Sequence, residues 1–254
     1  MTDSAPRTGG YGVSNDPTQF DADGLRTAHD SSFLNDPRFQ KAYRFGLQVP
    51  TSIGDDLHIE WRVWIALWAA EQALLTEGDF VECGVYTGVI SGAVCDWLNF
   101  GDLRDRSFWL LDTFDGLPED QLLDGERSLN IQNYNQEYKR SGVYESVVNK
   151  FKIFSNVTVV KGEIPDSLQS VTSERIAYLS IDLNMSRPEI ATMEYFWPKL
   201  SPGAVVLLDD YNQRLHMHQK GLLNVFAKGK GVSILGLPTG QGILVKPNTN
   251  RNGS

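Results

Sequence analysis

The sequence has little cysteine, little histidine and no long apolar run. Its two cysteines, Cys83 and Cys95, are too few for a disulfide framework, and both lie in apolar segments, so we expect buried, reduced thiols and a cytoplasmic protein. No stretch approaches the roughly 18 apolar residues that a membrane helix requires, and the N-terminus lacks the basic start and apolar run of a secretion signal. We therefore expect neither a membrane protein nor a secreted one.

Basic residues are also scarce. The 254-residue chain has 23 Lys and Arg against 32 Asp and Glu, a formal net charge of −9. Nucleic-acid binding needs clustered Lys and Arg, and the local basic run at 220–230 is too thin for this role. Hydrophobic residues make up 41% of the chain, as in ordinary globular proteins, so a folded domain is expected and nucleic acid is not an expected partner.

The character of the chain changes at both ends. Residues 1–31 are rich in Gly, Ser, Thr, Asp and Asn with almost no periodic apolar pattern, which predicts a flexible arm or an extended cap. Residues 248–254 have the same character and predict a disordered tail. The stretch between them, 32–247, is interpreted as one domain with a helical cap at about 32–78. A long connection at about 119–150 predicts a lid insertion.

Apolar residues recur at helical spacing over 55–76, which predicts a helix. Beyond it, β-rich runs alternate with helical stretches, and this alternation predicts an α/β fold with a doubly wound, mostly parallel sheet. Two final runs joined by four residues predict an antiparallel hairpin. The predicted strands are 80–83, 108–112, 157–161, 176–182, 204–209, 232–237 and 242–246, and the predicted helices between strands include 89–98 and 188–196.

Ligands of an open parallel sheet bind at the carboxyl ends of the strands, near the point where the strand order reverses. The first predicted strand ends in the segment E-C-G-V-Y-T-G at 82–88, directly before a helix. Gly84 and Gly88 allow a tight turn, and Glu82 places a carboxylate under it. This carboxylate suits an ammonium group, and Tyr86 stands where a dinucleotide fingerprint has its middle glycine. The turn favours a cofactor without a pyrophosphate, although glycines needed only for packing give the same pattern.

Asp112 ends the second predicted strand. A carboxylate at this position can accept hydrogen bonds from both hydroxyls of a ribose. Together with the first turn, it indicates an adenosine-type cofactor, and S-adenosylmethionine fits best. A helix cap or a loop carboxylate is the alternative interpretation.

Three aspartates follow two later strands, Asp182 after one and Asp209 with Asp210 after the next. On neighbouring strands their carboxylates converge at one sheet edge, where like charges are costly unless a cation neutralises them. Oxygen ligands alone favour Mg²⁺ or another hard divalent cation over zinc. The alternative is a structural cap at Asp209 and a solvated Asp182.

The four histidines carry less information. His216 and His218 follow the aspartate pair, so either can contact an acceptor or act as a base near neutral pH. A solvated loop position is the alternative for both, and His29 and His58 carry no specific signal.

Four ordered motifs resemble the macrocin O-methyltransferase (TylF-type) family over about residues 32–247. They are F-V-E-C-G-V at 80–85, L-D-T-F-D-G-L-P at 111–118, P-K-L-S-P-G at 198–203 leading to D-D-Y at 209–211, and L-P-T-G-Q-G at 237–242. The resemblance implies a Rossmann-like class I methyltransferase fold with a seven-stranded sheet. It also implies S-adenosylmethionine and Mg²⁺ as cofactors, and methylation of a hydroxyl, typically on a sugar of a natural product.

The resemblance assigns residues by position. The methionine end of the cofactor falls on Glu82, Gly84, Val85, Tyr86, Thr87 and Gly88, the ribose on Asp112, and the adenine on Gly162, Glu163 and Ile164. The metal falls on Asp182, Asp209 and Asp210. Asp182 is also the candidate catalytic proton acceptor. One departure is that the family has an acidic or aromatic residue soon after the first metal aspartate, where this chain has Leu183 and Asn184.

The predicted function is therefore metal-dependent transfer of a methyl group from S-adenosylmethionine to a hydroxyl of a small molecule. The tyrosines of the predicted lid, with its many amides, suit a sugar or polyol as the acceptor, and core packing or an oligomer contact explains them equally well. A non-catalytic S-adenosylmethionine-binding protein is one alternative, and a nicotinamide-dependent oxidoreductase is another, disfavoured by Tyr86 and the closing hairpin. The N-terminal arm and the Trp-rich first helix indicate a homo-oligomer.

Overall fold

The computed structural model describes residues 17–51 and 54–248. The strands in these ranges are β1 Phe20–Ala22, β2 Leu25–Thr27, β3 Asp79–Cys83, β4 Phe108–Asp112, β5 Val157–Lys161, β6 Ile176–Ile181, β7 Leu200–Leu208, β8 Leu235–Gly236 and β9 Gly242–Val245. The α-helices are α1 Pro37–Gly46, α2 Glu60–Ala73, α3 Val89–Trp97, α4 Asp124–Ser128, α5 Asn135–Tyr138, α6 Val143–Phe151, α7 Ser186–Phe196 and α8 Met217–Gly229. No helix in the described ranges is both long and apolar enough to cross a bilayer.

Strands β3 to β9 form one seven-stranded sheet in the order β5–β4–β3–β6–β7–β9–β8. The first five are parallel to their neighbours, whereas β9 runs antiparallel to both β7 and β8. The chain moves outward from β3 to β5 and then crosses back to β6, so the strand order reverses between β3 and β6. This confirms the predicted doubly wound sheet with a closing antiparallel hairpin, and it places a ligand crevice at the carboxyl ends of β3 and β6.

Helices cover both faces of the sheet. All six residues of β6 are buried, as expected of a parallel strand enclosed on both sides. On one face Phe80 stacks on Tyr178 with ring centroids 5.1 Å apart, beneath α1, α2, α3 and α6. On the other face Val81 and Leu179 pack beneath α7 and α8. The sheet is thus held between two apolar layers.

The first long helix is shorter than its apolar pattern predicts. It begins at Glu60 rather than near Asp55, because His58 adopts a left-handed backbone with φ of 52°. The Asp56 carboxylate accepts the backbone N–H of His58 at 2.8 Å, which holds this turn. The closing β8 is also shorter than predicted, and it covers only Leu235–Gly236.

Part of the segment predicted to be a flexible arm is a β-hairpin. Strands β1 and β2 pair antiparallel, and the turn residues Asp23 and Gly24 have φ of 50° and 73°, the positive values that a two-residue hairpin turn requires. Phe20 is buried. The prediction is therefore corrected for residues 20–27, whose alternation was too short to recognise as strands. Residues 1–16, and 249–254 of the predicted tail, lie outside the described residues.

The predicted lid consists of short helices rather than loop. It contains α4, α5 and most of α6, around a small apolar cluster that includes Leu122, Ile131 and Met185. Buried Glu126 fastens it to the domain, because its carboxylate accepts hydrogen bonds from the backbone N–H and the hydroxyl of Ser186, at 2.7 and 2.6 Å. The lid therefore packs on the start of α7, beside the crevice.

Candidate functional site

The three predicted metal aspartates converge. The register Ile181↔Leu208 aligns the ends of β6 and β7, and carboxylate oxygens of Asp182, Asp209 and Asp210 lie within 4.8 Å of one another. Asp209 and Asp210 are buried. Burial, together with repulsion from neighbouring carboxylates, raises the pKa of Asp182 well above its ordinary value. Burial also raises the pKa of Asp210, as does Asp209, against the opposing effect of His216. Negative charge on these buried carboxylates is therefore costly, and a bound cation would offset the cost.

These carboxylates fit a hard divalent cation. Two oxygens bound to one cation lie at most twice the metal–oxygen distance apart, about 5 Å for Ca²⁺ and about 4 Å for Mg²⁺, and the spacing of this cluster, within 4.8 Å, meets the larger limit. Asp210 Oδ2 is a buried atom without a hydrogen-bond partner, so it is available to a ligand. A second cluster, Asp56, His58 and Glu60, has comparable spacing but two of its members are exposed, and such groups are common without an ion.

Nothing in the sequence indicated that the positively charged side chain of Arg62 lies in the site. Arg62 of α2 donates from Nη1 to Asp209 Oδ2 at 2.6 Å, and it also pairs with Asp23 of the β1–β2 turn at 2.7 Å. Burial disfavours the charged guanidinium, but the charges of Asp209 and Asp23 raise the pKa of Arg62 above its ordinary value. No local sequence signal marks Arg62 or Asp23, since both join the site through tertiary packing.

The glycines of the 82–88 turn serve backbone packing. Gly84 has φ of 89°, and a Cβ there would collide with the main-chain carbonyl of Asp182. Gly88 has φ of 71°, and a Cβ would meet the Phe151 ring at 2.8 Å. Gly84 is thus needed where the chain after β3 comes close to the backbone of Asp182, and Gly88 is needed where α3 begins beside the Phe151 ring. Val85, Tyr86 and Thr87 lie between the two glycines and, with Gly84, line a pocket at the carboxyl ends of the strands.

Asp112 holds the turn from below. Its Oδ2 accepts the backbone N–H groups of Val85 and Tyr86 at 2.7 and 2.8 Å, and its Oδ1 accepts the N–H of Phe114 at 2.6 Å. The structure therefore shows the loop-carboxylate role directly. Asp112 also lines the pocket. The predicted contact with a ribose stays a prediction, and in such a contact the ribose hydroxyls would donate to the lone pairs that the backbone N–H groups leave free.

Glu82 is a buried carboxylate with an unsatisfied oxygen. It is 2% exposed, Oε2 has no hydrogen-bond partner, and burial raises its pKa to about 8. Lys150 of α6 lies behind the turn and donates from Nζ to the carbonyls of Gly46 and Gly88, each at 2.6 Å. Burial lowers the pKa of Lys150 to about 7. Glu82 fits an ammonium group of a ligand, whereas Lys150, which sequence reasoning missed, supports the turn from within the core.

A pocket of about 350 Å³ is lined by Glu82, Asp112, Asp182 and Asp209, whereas Gly88 and Asp210 do not line it. Gly162 and Ile164, predicted at the adenine, line it, whereas Glu163 is exposed and does not. The Gln121 amide of the lid donates to the Ile164 carbonyl at 2.9 Å, which closes this end. The volume is in the range of small-molecule sites. Its other lining residues include Asp23, Leu57, Arg62, Val85, Tyr86, Thr87, Phe114, Leu117, Tyr138, Asn184 and Met185.

Aromatic rings of the lid cover the pocket. Tyr138 packs against Tyr86 with centroids 5.0 Å apart and against Tyr134 at 5.9 Å. Burial, and then the charges of Asp182 and Asp210, raise the pKa of Tyr138 far above its ordinary value. The row of rings thus runs from the 82–88 turn towards the aspartate cluster.

The two downstream histidines differ. His216 is 3% exposed, lies 3.7 Å from Asp210 Oδ2 and contacts Gln219, whose amide donates to Glu189 at 2.6 Å. The solvated alternative is therefore wrong for His216, which belongs to a buried polar network behind the aspartates. His218 is exposed, and its ring packs against Gly125 of the lid.

Comparison with known proteins identifies the family. The profile of the macrocin O-methyltransferase (TylF) family matches residues 67–231, well over half of the chain. The chain belongs to this family. The matched range holds every predicted site residue and omits Arg62 and the N-terminal hairpin.

Curated relatives match over a shorter range. Mycinamicin III 3''-O-methyltransferase of Micromonospora griseorubida is 28% identical over 142 residues, which are 53% of this chain and 55% of the relative. Demethyldecarbamoylnovobiocin O-methyltransferase of Streptomyces niveus is 29% identical over 140 residues, 53% of each chain. The chain thus spans about half the length of the curated relatives it matches.

Solved structures show the same fold. The O-methyltransferase NovP superposes with a TM-score of 0.66 at 22% identity, over 74% of this chain and 80% of NovP. The calicheamicin methyltransferase CalS11 superposes with a TM-score of 0.60 at 18% identity, over 85% of this chain and 94% of CalS11. The class I methyltransferase fold predicted from the sequence motifs is therefore confirmed.

Proposed function

We propose that this protein transfers a methyl group from S-adenosylmethionine to a hydroxyl of a small molecule, in a reaction that needs Mg²⁺ or another hard divalent cation. The observation that carries the proposal is one pocket at the carboxyl ends of β3, β6 and β7. Glu82, a buried carboxylate with an unsatisfied oxygen, lines this pocket with Asp182 and Asp209, and Asp210 completes the aspartate cluster beside it. Family membership supports the reaction class.

The acceptor is proposed to be a sugar hydroxyl, free or on a glycosylated natural product. Three curated relatives are named for O-methylation of mycinamicin III, of demethyldecarbamoylnovobiocin and of a rhamnosyl tetracenomycin. Tyr86 and Tyr138, which line the pocket, suit the apolar face of a sugar ring, and the aspartate edge suits its hydroxyls.

S-Adenosylmethionine, when bound, supplies a methyl group already activated on a sulfonium, and a divalent cation supplies Lewis acidity and a template for two oxygens. The protein must then mainly align the groups, which is worth several kcal/mol of barrier. Glu82 is proposed to hold the ammonium of the methionine, and Gly162 and Ile164 to border the adenine. Lid tyrosines exclude water from the reacting oxygen.

Asp182, Asp209 and Asp210 are the proposed cation ligands. Asp182 is also proposed to accept the hydroxyl proton. The neighbouring Asn184 donates its amide to Asp182 Oδ1 at 3.3 Å, so it orients this carboxylate and offers no second acid–base group.

The test is an assay with purified protein, labelled cofactor and a panel of hydroxylated sugars, glycosylated natural products and catechols. Turnover is expected with a sugar, abolished by EDTA and restored by Mg²⁺. Turnover that survives metal removal would contradict the metal requirement, and a catechol as the sole acceptor would contradict the sugar assignment.

Two controls locate a failure. Asp209→Asn is expected to abolish turnover while S-adenosylhomocysteine affinity, measured by calorimetry, stays within about threefold of wild type. Asp115→Asn, an exposed change in the loop after β4, is expected to leave both unchanged. Binding of NAD in preference to S-adenosylhomocysteine would favour an oxidoreductase, and binding without turnover on any acceptor would favour a non-catalytic protein. Size-exclusion chromatography with light scattering tests the proposed homo-oligomer.

A further inference from the structure

Asp209 differs from the other two aspartates because donors hold both of its oxygens. Arg62 Nη1 lies 2.6 Å from Oδ2, and the buried Gln241 amide in the β8–β9 turn donates to Oδ1 at 2.9 Å. The Gln241 oxygen accepts the Thr239 hydroxyl at 3.0 Å, which orients the amide. The carboxylate of Asp209 therefore has one fixed orientation.

Arg62 is itself held in place. Its Nε and Nη2 donate to the two carboxylate oxygens of Asp23, each at 2.7 Å, in a bidentate pair. The two side chains are only 17% and 18% exposed, so the pair is largely shielded from water. Asp23 lies at the tip of the β1–β2 hairpin. A continuous chain of ion pairs thus connects this hairpin to Asp209.

Two effects of Arg62 on a nearby cation have opposite signs. Its charge repels a metal ion, but Asp23 carries a compensating charge, so the pair contributes little net field. Its hydrogen bond to Asp209 remains, and groups that orient a ligating carboxylate typically change metal affinity by 10–100-fold when removed. Orientation is therefore expected to outweigh repulsion.

We propose that Arg62, anchored by Asp23, is a positioning residue of the metal centre, and that the N-terminal hairpin is a structural part of that centre. The inference rests on the proposed metal dependence. It assigns a role to two residues outside the range matched by the family profile.

The test measures Mn²⁺ binding to the full-length protein, without acceptor, from the electron paramagnetic resonance signal of free Mn²⁺. Arg62→Lys keeps the charge and loses the planar fork, and it should weaken Mn²⁺ binding at least tenfold. Asparagine tolerates the positive φ of this turn position as aspartate does, so Asp23→Asn removes the charge that anchors Arg62 without straining the hairpin. It should weaken Mn²⁺ binding at least threefold. Arg26→Lys and Asp21→Asn on the exposed side of the same hairpin are matched controls and should stay within twofold.

Two further readouts separate positioning from a merely structural role. Calorimetry should show S-adenosylhomocysteine affinity of Arg62→Lys within threefold of wild type. Saturating Mg²⁺ should restore most of its turnover, so that the change appears in the apparent KM for Mg²⁺ rather than in kcat.

Three results would overturn the inference. Wild-type Mn²⁺ affinity in both Arg62→Lys and Asp23→Asn would mean that the pair only fastens the hairpin. Tighter binding by Arg62→Met, with Arg62→Lys unchanged, would mean that the guanidinium only repels the metal. A wild-type protein that binds no Mn²⁺ would refute the metal proposal and this inference together. If Arg62→Lys shows no cooperative melt, Asp23→Asn alone decides.

Discussion

Asp112→Ala is expected to destabilise the cofactor-free protein, because this carboxylate is the acceptor for three backbone N–H groups. The groups belong to Val85, Tyr86 and Phe114, and the distances are 2.6–2.8 Å. A hydrogen bond to a charged group is worth about 1.5 kcal/mol at the low end, so three give about 4–5 kcal/mol. Asp112 is only partly buried, and water can replace some of these bonds, so we expect a loss of about 3 kcal/mol.

Asp112→Asn gives a graded comparison. The amide oxygen can still accept from Val85 and Tyr86, while its NH₂ group faces the N–H of Phe114. One bond is lost instead of three, so the expected cost is about 1–2 kcal/mol. Asp115→Ala, an exposed change in the same loop, is expected to cost less than about 0.5 kcal/mol.

The assay is urea unfolding of the three variants and the wild type without cofactor, with stability taken from the midpoint and slope. Asp112→Ala within 0.5 kcal/mol of wild type would refute the reasoning, since the three N–H groups would then need no carboxylate. If the variant instead keeps wild-type stability but loses S-adenosylhomocysteine affinity, Asp112 acts on the ribose alone.

Three more predictions concern Gly84, Glu82 and Lys150. Gly84→Ala is expected to yield no cooperatively melting protein because its Cβ would collide with the Asp182 carbonyl, whereas Gly142→Ala, at φ of 81° in open space, should cost only about 1–2 kcal/mol in thermal melts. Glu82 has its pKa raised from 4.5 to about 8, so the folded chain retains a proton that the unfolded chain releases in this window. Stability of the wild type should therefore fall from pH 5 to pH 8, and Glu82→Gln should gain up to about 3 kcal/mol relative to wild type over that interval; an equal difference at both pH values would contradict this. Lys150→Met should lose about 2–3 kcal/mol in urea unfolding, because the buried carbonyls of Gly46 and Gly88 lose a charged donor, and a neutral result would show that water replaces the amine.

The strands and the edge where chemistry gathers were predictable from local pattern. Apolar runs such as 176–181 and the polar residues that end them depend on a few neighbouring positions, and the parallel arrangement then brings Asp182 beside Asp209. The order of the motifs predicted the family. The end of a strand can be predicted because a polar residue there interrupts the apolar run.

Local pattern failed where long-range packing decides. The short hairpin at 20–27 has too few residues for a periodicity, and the left-handed His58 that delays α2 follows from a side-chain contact of Asp56. The sequence also did not show that Gly84 passes close to the main-chain carbonyl of Asp182, directly after β6.

Alternating apolar runs and the residues that end them are properties of adjacent positions, so the sheet, the family and the three aspartates could be predicted from the sequence. The surroundings of these groups depend on tertiary packing. Packing placed Arg62 against Asp209 and paired it with Asp23, 39 residues away, and it turned Asp112 towards the backbone of another strand's turn. Such contacts depend on how distant elements pack, and no neighbouring residue records them.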